Sequence, residues 1–318
     1  MAEAAAKTTP YTMGELMVAA AAREIHDGDV CFVGMRLPLI AFVVAKRTHA
    51  PNAVGLFENG VIRTTPAPEL IYTMADPPNI LGASQCLDML SVMSLLQSGR
   101  VNLGFLGAAE VDRFGNLNST QVGDATRKGH GFSRADKGET KSGALAPSGK
   151  ITRLPGSGGA CDIASLAQRF VCLLEHAKHR LPERVSYITS PGNGDGGNWR
   201  KRVGLPRGGP SACITTKCIL RFRTPDDAVW TQAREGHGFS RADERQTKNG
   251  ALAPEVSVVP ELGEAYLASL HPGIELDDVL ASTGWKLKVA PSVAATPSPT
   301  DAELAAIRDY DREGFWTS

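Results

Sequence analysis

The sequence predicts an α/β fold in which helices cover a sheet of mainly parallel strands. Stretches suited to helices alternate with short apolar runs suited to buried strands over residues 14–57, in the order helix, strand, helix, strand. Glycine-containing turns at Gly28 and Gly34 separate the first of these elements. This alternation is typical of parallel strands joined by helical connections. The 318-residue chain is also long enough to bury a substantial core.

The N-terminal elements can be placed one by one. Residues 14–25 are rich in Ala, Leu, Met and Glu, which predicts a helix. Residues 30–33 predict a buried strand, and residues 37–46 a second helix. A short apolar strand over 53–57 then leads directly into Glu58.

The same pattern continues to the C-terminus. Thr300 and Glu303 have the spacing of a capping box that begins a final helix, and the proline-rich stretch 290–300 is interpreted as a connector. The remaining predicted elements are a helix over 87–96, a strand over 101–106, a turn over 112–116, a long helix over 163–176, a strand over 185–189 and a β-rich region over 212–222.

Composition and charge indicate an ordinary soluble globular protein. Hydrophobic residues make up 42% of the chain, and 34 basic residues balance 34 acidic ones. A neutral chain has no general attraction to nucleic acid or to anionic lipid. The N-terminus lacks the basic start and apolar core of a signal peptide, and the longest apolar run, 37–45, is too short to span a bilayer. We therefore expect a cytoplasmic protein with no nucleic-acid or membrane partner.

The six cysteines favour the same compartment. None forms a Cys-x-x-Cys pair, and most lie in apolar stretches where a free thiol behaves as a small hydrophobic group. Cys213 and Cys218 flank a strand-like run, which is a poor arrangement for metal ligands. All six are expected to be reduced and structural.

One segment of the chain occurs twice. The sequence GHGFSRADKGETKSGALAP at 129–147 returns as GHGFSRADERQTKNGALAP at 236–254, with 15 of 19 positions identical. Both copies are polar and are flanked by loop-like sequence, so we interpret the regions near 127–149 and 234–255 as elements inserted into one domain that spans 1–318. The alternative is a paired binding site, built from the residues His130, His237, Arg134 and Arg241.

Glu58 is the first candidate for chemistry. It follows an apolar strand and precedes Asn59 and Gly60, two residue types that accept left-handed backbone angles. A sharp turn there would present the carboxylate at the C-terminal edge of the sheet, where open α/β sheets place their ligands. A solvated glutamate in a turn has the same local sequence, so the motif alone leaves both interpretations open.

A glycine-rich stretch, PGSGGACDIAS at 155–165, is the second candidate. Backbone N–H groups in such a loop can converge on an anion or on a developing oxyanion, although a plain turn has the same composition. No Gly-Lys-Ser/Thr follows, so it is not a P-loop, and Cys161 replaces the last glycine of a dinucleotide fingerprint. Asp162 could cap the helix that follows.

Other catalytic classes are disfavoured. The chain has no Gly-x-Ser-x-Gly motif, which argues against an α/β-hydrolase. His176 and His179 have the i, i+3 spacing of one helix face without a nearby carboxylate cluster, so a solvated helix face is favoured over a metal site. The glycines of 192–197 and 204–210 are expected to shape loops.

Taken together, the motifs resemble the β subunits of family-I CoA-transferases, in particular the glutaconate CoA-transferase B-like group. They run in order along most of the chain, and their combination is far more specific than any single one. The matching stretches are LPLIAFVVAKRTHAPN (37–52), FENG (57–60), GFLGAAEVDRFGNLNST (104–120), LPGSGGACDIAS (154–165), ITSPG (188–192), GGP (208–210), LHPGIELDDVLASTGW (270–285) and PTDAEL (299–304).

The resemblance implies a three-layer αβα fold with a mostly parallel central sheet and an α-type partner subunit. It also implies that Glu58 is the nucleophile that forms a glutamyl-CoA thioester, and that Gly158, Gly159 and Ala160 form the oxyanion and CoA loop. Coenzyme A is then a substrate, alongside an acyl-CoA and a carboxylic acid. No metal and no permanently bound cofactor is expected.

The chain departs from the family pattern at one position, and two other functions stay open. Residue 36 is Arg where the resemblance implies Gly, which could alter how the loop from Gly34 to Pro38 closes. One alternative is a hydrolase of ring-containing CoA thioesters on the same scaffold, although such relatives lack the Glu-x-Gly turn and the intact glycine loop. The other is a non-catalytic subunit that only stabilises its partner.

Overall fold

A computed structural model describes residues 10–123, 151–205, 207–227, 230 and 259–318. The two repeated segments, near 127–149 and 234–255, lie outside the described residues. Their interpretation as inserted elements in a single domain therefore stays a prediction.

Short helices and strands alternate along the described chain. The helices are α1 Met13–Ala22, α2 Leu37–Arg47, α3 Pro77–Ile80, α4 Met89–Gln97, α5 Ala160–Leu166, α6 Trp199–Arg202, α7 Leu276–Ala281 and α8 Asp301–Tyr310. The strands are β1 Val30–Phe32, β2 Val54–Leu56, β3 Val61–Arg63, β4 Gln85–Cys86, β5 Leu103–Leu106, β6 Glu110–Val111, β7 Leu117–Asn118, β8 Gln121–Val122, β9 Thr152–Arg153, β10 Arg169–Leu174, β11 Pro210–Thr215, β12 Cys218–Phe222, β13 Ala265–Leu270 and β14 Lys288–Ala295.

Ten of these strands form one sheet in the order β14-β13-β12-β11-β10-β5-β1-β2-β3-β4. The five central strands, from β11 to β2, are all parallel to their neighbours within this group. Antiparallel strands β12 and β13 extend the sheet on one side, and β3 and β4 extend it on the other. The predicted α/β class is confirmed, and the carboxyl ends of the central strands meet at one edge of the sheet.

Two apolar cores cover the two faces of this sheet. One core packs α1, α2 and α8 together, and the other contains the buried faces of α4, α5 and α7. Residues 39–45 of α2 are all buried, which explains why this helix is apolar almost all round. The expected three-layer arrangement is confirmed. Among the residues that the structure describes, no helix is long and apolar enough to cross a membrane.

Several local predictions are confirmed. The helices expected over 14–25, 37–46 and 87–96 correspond to α1, α2 and α4 with small shifts at their ends. The capping box of α8 is complete: the Thr300 hydroxyl accepts from Glu303 N–H, and the Glu303 carboxylate accepts from Thr300 N–H. Thr12 and Glu15 form a second capping box at the start of α1, which the sequence analysis did not identify.

The long helix predicted over 163–176 is wrong. Helix α5 ends at Leu166, and the chain continues as β10, which pairs with β5 on one side and β11 on the other. A central strand buried on both faces has a continuous apolar sequence such as RFVCLL, without the alternation that marks a half-exposed strand. Periodicity alone therefore could not separate this strand from the helix before it.

Two further predictions need correction. No strand forms over 185–189, because Ser186 N–H donates to the Glu110 carboxylate and Thr189 N–H to the Leu117 carbonyl, and Tyr187 is half exposed. The stretch 290–300 was predicted to be a connector, but its residues up to Ala295 belong to edge strand β14. The pairing with β13 skips residues there, which leaves Pro291 in an unpaired bulge where its missing N–H costs nothing.

His176 is not on a solvated helix face. It lies in the loop after β10, is 4% exposed and contacts the hydroxyls of Thr215 and Thr283 at 2.9 and 3.1 Å. Burial, helped by the nearby charge of Lys217, lowers the pKa of His176 to about 4. The neutral imidazole is therefore part of the folded state.

This burial predicts an acid-sensitive component of stability. A histidine pKa lowered on folding contributes stability above its unfolded pKa of about 6.5, and this contribution disappears as the pH falls toward 4. Urea denaturation between pH 7 and 4.5 should show a loss on the order of 2 kcal/mol from this residue. A His176→Gln variant removes the titration, so its stability should fall less over that range. Parallel pH profiles of the two proteins would contradict the prediction.

Candidate active site at the carboxyl end of β2

Glu58 lies in a tight turn between β2 and β3. Gly60 N–H donates to the Phe57 carbonyl at 3.0 Å, and Phe57 N–H donates to the Val61 carbonyl at 2.9 Å. The neighbouring Phe57 is 1% exposed, whereas Glu58 is half-buried. The core therefore fixes the base of the turn, and the carboxylate remains accessible at the edge of the sheet.

Gly60 is required for both the shape and the packing of this turn. Its φ of 103° lies in the region that favours glycine. A Cβ at this position would lie 2.0 Å from the carbonyl oxygen of Leu87, whose own N–H donates to the Gly60 carbonyl. The turn is thus pressed directly against the backbone that leads into α4.

Asn59 ties the turn to a neighbouring loop. Its side-chain Nδ2 donates to the Met74 carbonyl at 2.7 Å, and its Oδ1 accepts from Val61 N–H at 3.3 Å. Asn59 itself is exposed, so these bonds serve to hold the turn rather than to fill the core. They also place the loop that contains Met74 beside Glu58.

The glycine-rich loop is held by the strand pair on its N-terminal side. Gly156 N–H donates to the Ser119 carbonyl and Leu154 N–H to the Thr120 carbonyl, both at 2.8 Å. Thr189 in turn accepts from Ser119 N–H at 2.9 Å. These supporting residues were not predicted from sequence, because most of them act through backbone groups rather than through a recognisable side-chain motif.

The glycine loop and Glu58 are in direct contact. Gly159 N–H donates to Glu58 Oε1 at 3.1 Å. A Cβ on Gly159 would lie 3.1 Å from both Oε1 and Cδ of Glu58, and 3.3 Å from the methyl of Met93. The absence of a side chain at Gly159 is what lets the backbone approach the carboxylate this closely.

The three predicted loop residues stand in different relations to Glu58. Gly158 is exposed, and a Cβ there would lie 3.7 Å from Glu58 Oε1. Its N–H has no acceptor within the described parts of the chain. The Ala160 N–H is already bonded to the Ser157 carbonyl at 3.0 Å. Gly159 therefore presents its backbone donor to the carboxylate, the amide of Ala160 is engaged in the turn, and the Gly158 N–H is left unengaged within the described residues.

Arg36 lies in the loop between β1 and α2 and has an unusual backbone. Its φ is 67° and its ψ is −128°, and it is the one residue other than glycine with a positive φ among the described residues. Its guanidinium carbon lies 5.0 Å from the centroid of the Trp316 ring. The resemblance described above implies a glycine at this position.

Within the described residues, no group of metal ligands lies beside this site. The part of the chain that the structure describes contains no cluster of three or more His, Cys, Asp or Glu side chains placed to hold an ion. Cys213 and Cys218 are buried in the hairpin of β11 and β12, and none of the six cysteines forms a disulfide. The chemistry available at the site is a half-buried carboxylate facing backbone donors.

The chain is similar to known coenzyme A transferases over most of its length. Residues 15–234 match the family described as coenzyme A transferase. The chain is 33% identical over 301 residues to the B-type subunit of the 3-oxoadipate CoA-transferase of Pseudomonas knackmussii, covering 94% of this chain and 92% of that protein. It is 28% identical over 312 residues to the B-type subunit of the glutaconate CoA-transferase of Acidaminococcus fermentans, covering 95% and 92%. The crystal structure of that organism's glutaconate coenzyme A-transferase superimposes with a TM-score of 0.73 at 25% identity, covering 98% of both chains.

The packing of the turn can be tested through Gly60. A Gly60→Ala substitution places a Cβ against the Leu87 carbonyl and also strains a positive φ. Gly28 also has a positive φ, of 82°, but no atom lies within 4 Å of its Cβ position, so Gly28→Ala isolates the strain. We expect Gly28→Ala to cost about 1–2 kcal/mol in urea denaturation and Gly60→Ala to cost clearly more. Equal losses would show that the turn is not pressed against Leu87.

Proposed function

Since the chain belongs to the coenzyme A transferase family, as a subunit of the B type, we propose that it transfers CoA between an acyl-CoA and a free carboxylic acid through a thioester on Glu58. The observation that carries the proposal is the contact between Glu58 and the glycine loop. Glu58 is a half-buried carboxylate that accepts a backbone N–H at 3.1 Å, and none of the described basic side chains forms an ion pair with it. Such a carboxylate is suited to act as a nucleophile.

The proposed reaction proceeds in four acyl-transfer steps. A Glu58 oxygen attacks the thioester carbonyl, and the C–S bond breaks to release CoA thiolate and leave a mixed anhydride. The thiolate then attacks the glutamyl carbonyl, which releases the first carboxylate product and leaves the glutamyl-CoA thioester. An acceptor carboxylate attacks this thioester, which forms a second anhydride and releases CoA thiolate. The thiolate then attacks the acceptor's carbonyl in that anhydride and forms the new acyl-CoA. Glu58 is regenerated as a carboxylate, and no net proton transfer is needed.

Each tetrahedral intermediate carries a negative oxygen, and the glycine loop supports its stabilisation. The Gly158 N–H is exposed and has no acceptor within the described chain, so it can donate to an oxygen that arrives from solvent. Gly159 N–H can exchange its bond from Glu58 Oε1 to the developing oxyanion as the carboxylate reacts. One such donor typically contributes on the order of 10²–10³ in rate.

We propose that the acid exchanged by this chain is a dicarboxylate. The two relatives that cover more than nine-tenths of the chain are named for 3-oxoadipate and glutaconate. Both of those acids carry a second carboxylate away from the one that bears CoA. A shared second charge is the simplest common feature of the two named substrates.

Substitution of Glu58 tests the covalent step. We expect Glu58→Gln, co-expressed with an α-type partner, to lose on the order of 10⁴-fold or more in CoA exchange because the amide cannot form the anhydride. Borohydride treatment of the wild-type complex with acyl-CoA should modify the peptide around residue 58, detected by mass spectrometry, and the variant should stay unmodified. Glu313, an exposed glutamate in the C-terminal segment, provides a matched control, since Glu313→Gln should retain exchange.

The outcomes separate the alternatives. Release of CoA without exchange or trapping would indicate a hydrolase on this scaffold. Copurification with the partner but neither exchange nor trapping would indicate a subunit that only stabilises the complex. Full exchange by Glu58→Gln would refute the assignment of the nucleophile.

A surface beside the site supports the assembly with an α-type partner, which the names of both relatives imply by describing them as B-type subunits. Five large apolar side chains around edge strand β4 and the start of α4 are unusually exposed. This apolar patch consists of Ile80, Leu81, Leu87, Met89 and Leu90, with exposed fractions of 52, 68, 43, 56 and 79%.

The apolar patch is continuous with the proposed nucleophile. Leu87 N–H donates to the Gly60 carbonyl at 2.9 Å, so the patch begins where the Glu58 turn ends. Met93, one turn of α4 beyond Met89, lies against Gly159. A partner that covers the patch would therefore also lie beside the Glu58 turn.

Charge on the patch should weaken assembly. We expect the double variant Leu81→Glu/Leu90→Glu to reduce recovery of the α-type partner by roughly tenfold or more, because two apolar anchors would become buried charges. Its melting temperature should stay near that of the wild type, since both residues are exposed. Val203→Glu, at an apolar residue that is 49% exposed outside the patch, is the control. Unchanged recovery with the double variant would exclude the patch from the interface.

A further inference from the structure

Arg36 and Glu58 leave the sheet at the same edge on neighbouring strands. β1 and β2 are parallel, with Phe32 opposite Leu56, and Val33 N–H extends the pairing to the Leu56 carbonyl at 2.9 Å. Parallel neighbours lie about 4.8 Å apart, so the loop after β1 begins next to the Glu58 turn. Arg36 stands in that loop.

The backbone of Arg36 is strained. A φ of 67° with a ψ of −128° is a conformation that glycine adopts freely and a residue with a Cβ does not. A glycine would relieve this strain, and the resemblance described above implies one at this position. Residues held in strained backbone conformations concentrate at functional sites. The arginine side chain is therefore a candidate for a role that glycine could not perform.

The guanidinium is held on a rigid platform. It lies 5.0 Å from the Trp316 ring centroid, a distance typical of stacking between arginine and tryptophan. Trp316 is itself fixed, because its backbone N–H and that of Phe315 donate to the Asp311 carboxylate at 2.9 and 2.8 Å. Stacking uses the face of the guanidinium and leaves the N–H groups along its edge available.

Those N–H groups have no acidic partner in the described chain. Arg36 forms no ion pair with any of the described carboxylates, and its side chain is accessible to solvent. Two of the three other stacked arginines do have acidic partners, since Arg47 pairs with Asp309 at 2.8 Å and Arg113 lies 3.7 Å from Glu264. The Arg36 guanidinium is thus held in place by stacking, and its charge has no acidic partner in the described chain.

The Trp316 platform and the Glu58 turn border the same loop. Asn59 donates to the Met74 carbonyl at 2.7 Å, and the Tyr72 ring, two residues earlier, lies 6.4 Å from Trp316. The loop 72–74 therefore connects the residue next to the nucleophile with the ring that carries Arg36. This loop is the route along which an acyl chain bound at Glu58 would run to reach the guanidinium.

We propose that Arg36 is a specificity-determining residue that binds the distal carboxylate of a dicarboxylic substrate while its other end reacts at Glu58. This inference rests on the proposed function of Glu58 and adds to it the residue that reads the second charge. The planar fork of arginine matches a carboxylate in a two-point contact. The phosphates of CoA are the other anions in the reaction, but the pantetheine arm separates them from the thioester, whereas Arg36 stands one strand away from the nucleophile.

The test compares acids that differ only in the distal charge. The complex of this chain with its α-type partner is assayed with acetyl-CoA as the donor and with the acceptor pairs glutarate and pentanoate, and adipate and hexanoate. The measured quantity is the ratio of kcat/KM for the dicarboxylate to that for the monocarboxylate of the same length. We expect Arg36→Gly to lower this ratio by roughly 10- to 100-fold, the range for loss of a charge-assisted contact.

Two further variants define the role. Arg36→Lys keeps the charge but loses the planar fork, so its ratio should fall between those of the wild type and Arg36→Gly. Arg312, an exposed arginine near the same C-terminal segment, serves as the control, and Arg312→Gln should leave the ratio unchanged. Arg36→Gly should also have a melting temperature at or above that of the wild type, because glycine relieves the positive φ.

Failure of this inference differs from failure of the proposed function. A wild-type complex that transfers CoA to none of the acids and forms no thioester on Glu58 would refute the proposed function. A working complex whose acid ratio is unchanged in Arg36→Gly, or whose rates with both acids fall equally, would overturn the role of Arg36. A rise only in the KM for acetyl-CoA would instead assign Arg36 to the CoA phosphates and would also overturn it.

Discussion

The hydrogen bond from Gly159 N–H to Glu58 Oε1 is the interaction on which the site depends. It joins two segments that are 101 residues apart in the chain, and it exists only because neither Gly159 nor Gly60 carries a side chain. At Gly60 the missing Cβ lets the turn press against Leu87, and at Gly159 it lets the loop reach the carboxylate. A methyl group at Gly60 would collide with the Leu87 backbone, and one at Gly159 would press on the Glu58 carboxylate itself.

The central sheet makes this contact possible. Because β1, β2 and β5 are parallel, the loops that follow them leave at one edge, and β10 brings α5 and the glycine loop to the same region. α2 is buried almost completely between the sheet and the helices α1 and α8, which fixes the loop that contains Arg36. The site is built on rigid strand ends, whereas the groups that face a substrate lie in the loops.

Much of the fold could be predicted from sequence because local patterns determine it. Helices α1 and α2 have clear compositions and glycine punctuation, and the capping box of α8 is a side-chain motif with fixed spacing. The predictions failed where a local sequence pattern is compatible with two structures, such as a helix and a strand. The run RFVCLL fits a buried helix or a buried strand, and only pairing with β5 and β11 selects the strand. Residues 185–189 look like a strand, yet their backbone groups bond to Glu110 and Leu117.

The family resemblance placed Glu58, Gly158, Gly159 and Ala160 at one site, and the structure adds the different situation of each backbone amide. Ala160 N–H is bonded within its own turn, whereas Gly158 N–H is open and Gly159 N–H faces the carboxylate. From the sequence, Arg36 is recognisable only as an arginine where the resemblance implies a glycine. Its strained backbone, its stacking and the lack of an acidic partner in the described chain are seen only in the structure. Its contact with Trp316 joins it to the opposite end of the chain.

The sequence by itself determined the α/β class, the carboxylate at the end of β2 and the glycine loop before α5, since composition, periodicity and short motifs are local properties of the chain. Only the tertiary structure decided which backbone donors face Glu58, which apolar side chains remain uncovered beside it and what surrounds Arg36. Those features arise from contacts between segments far apart in the chain. Such contacts depend on strand order and on close backbone approach, and neither can be deduced from the pattern of neighbouring residues.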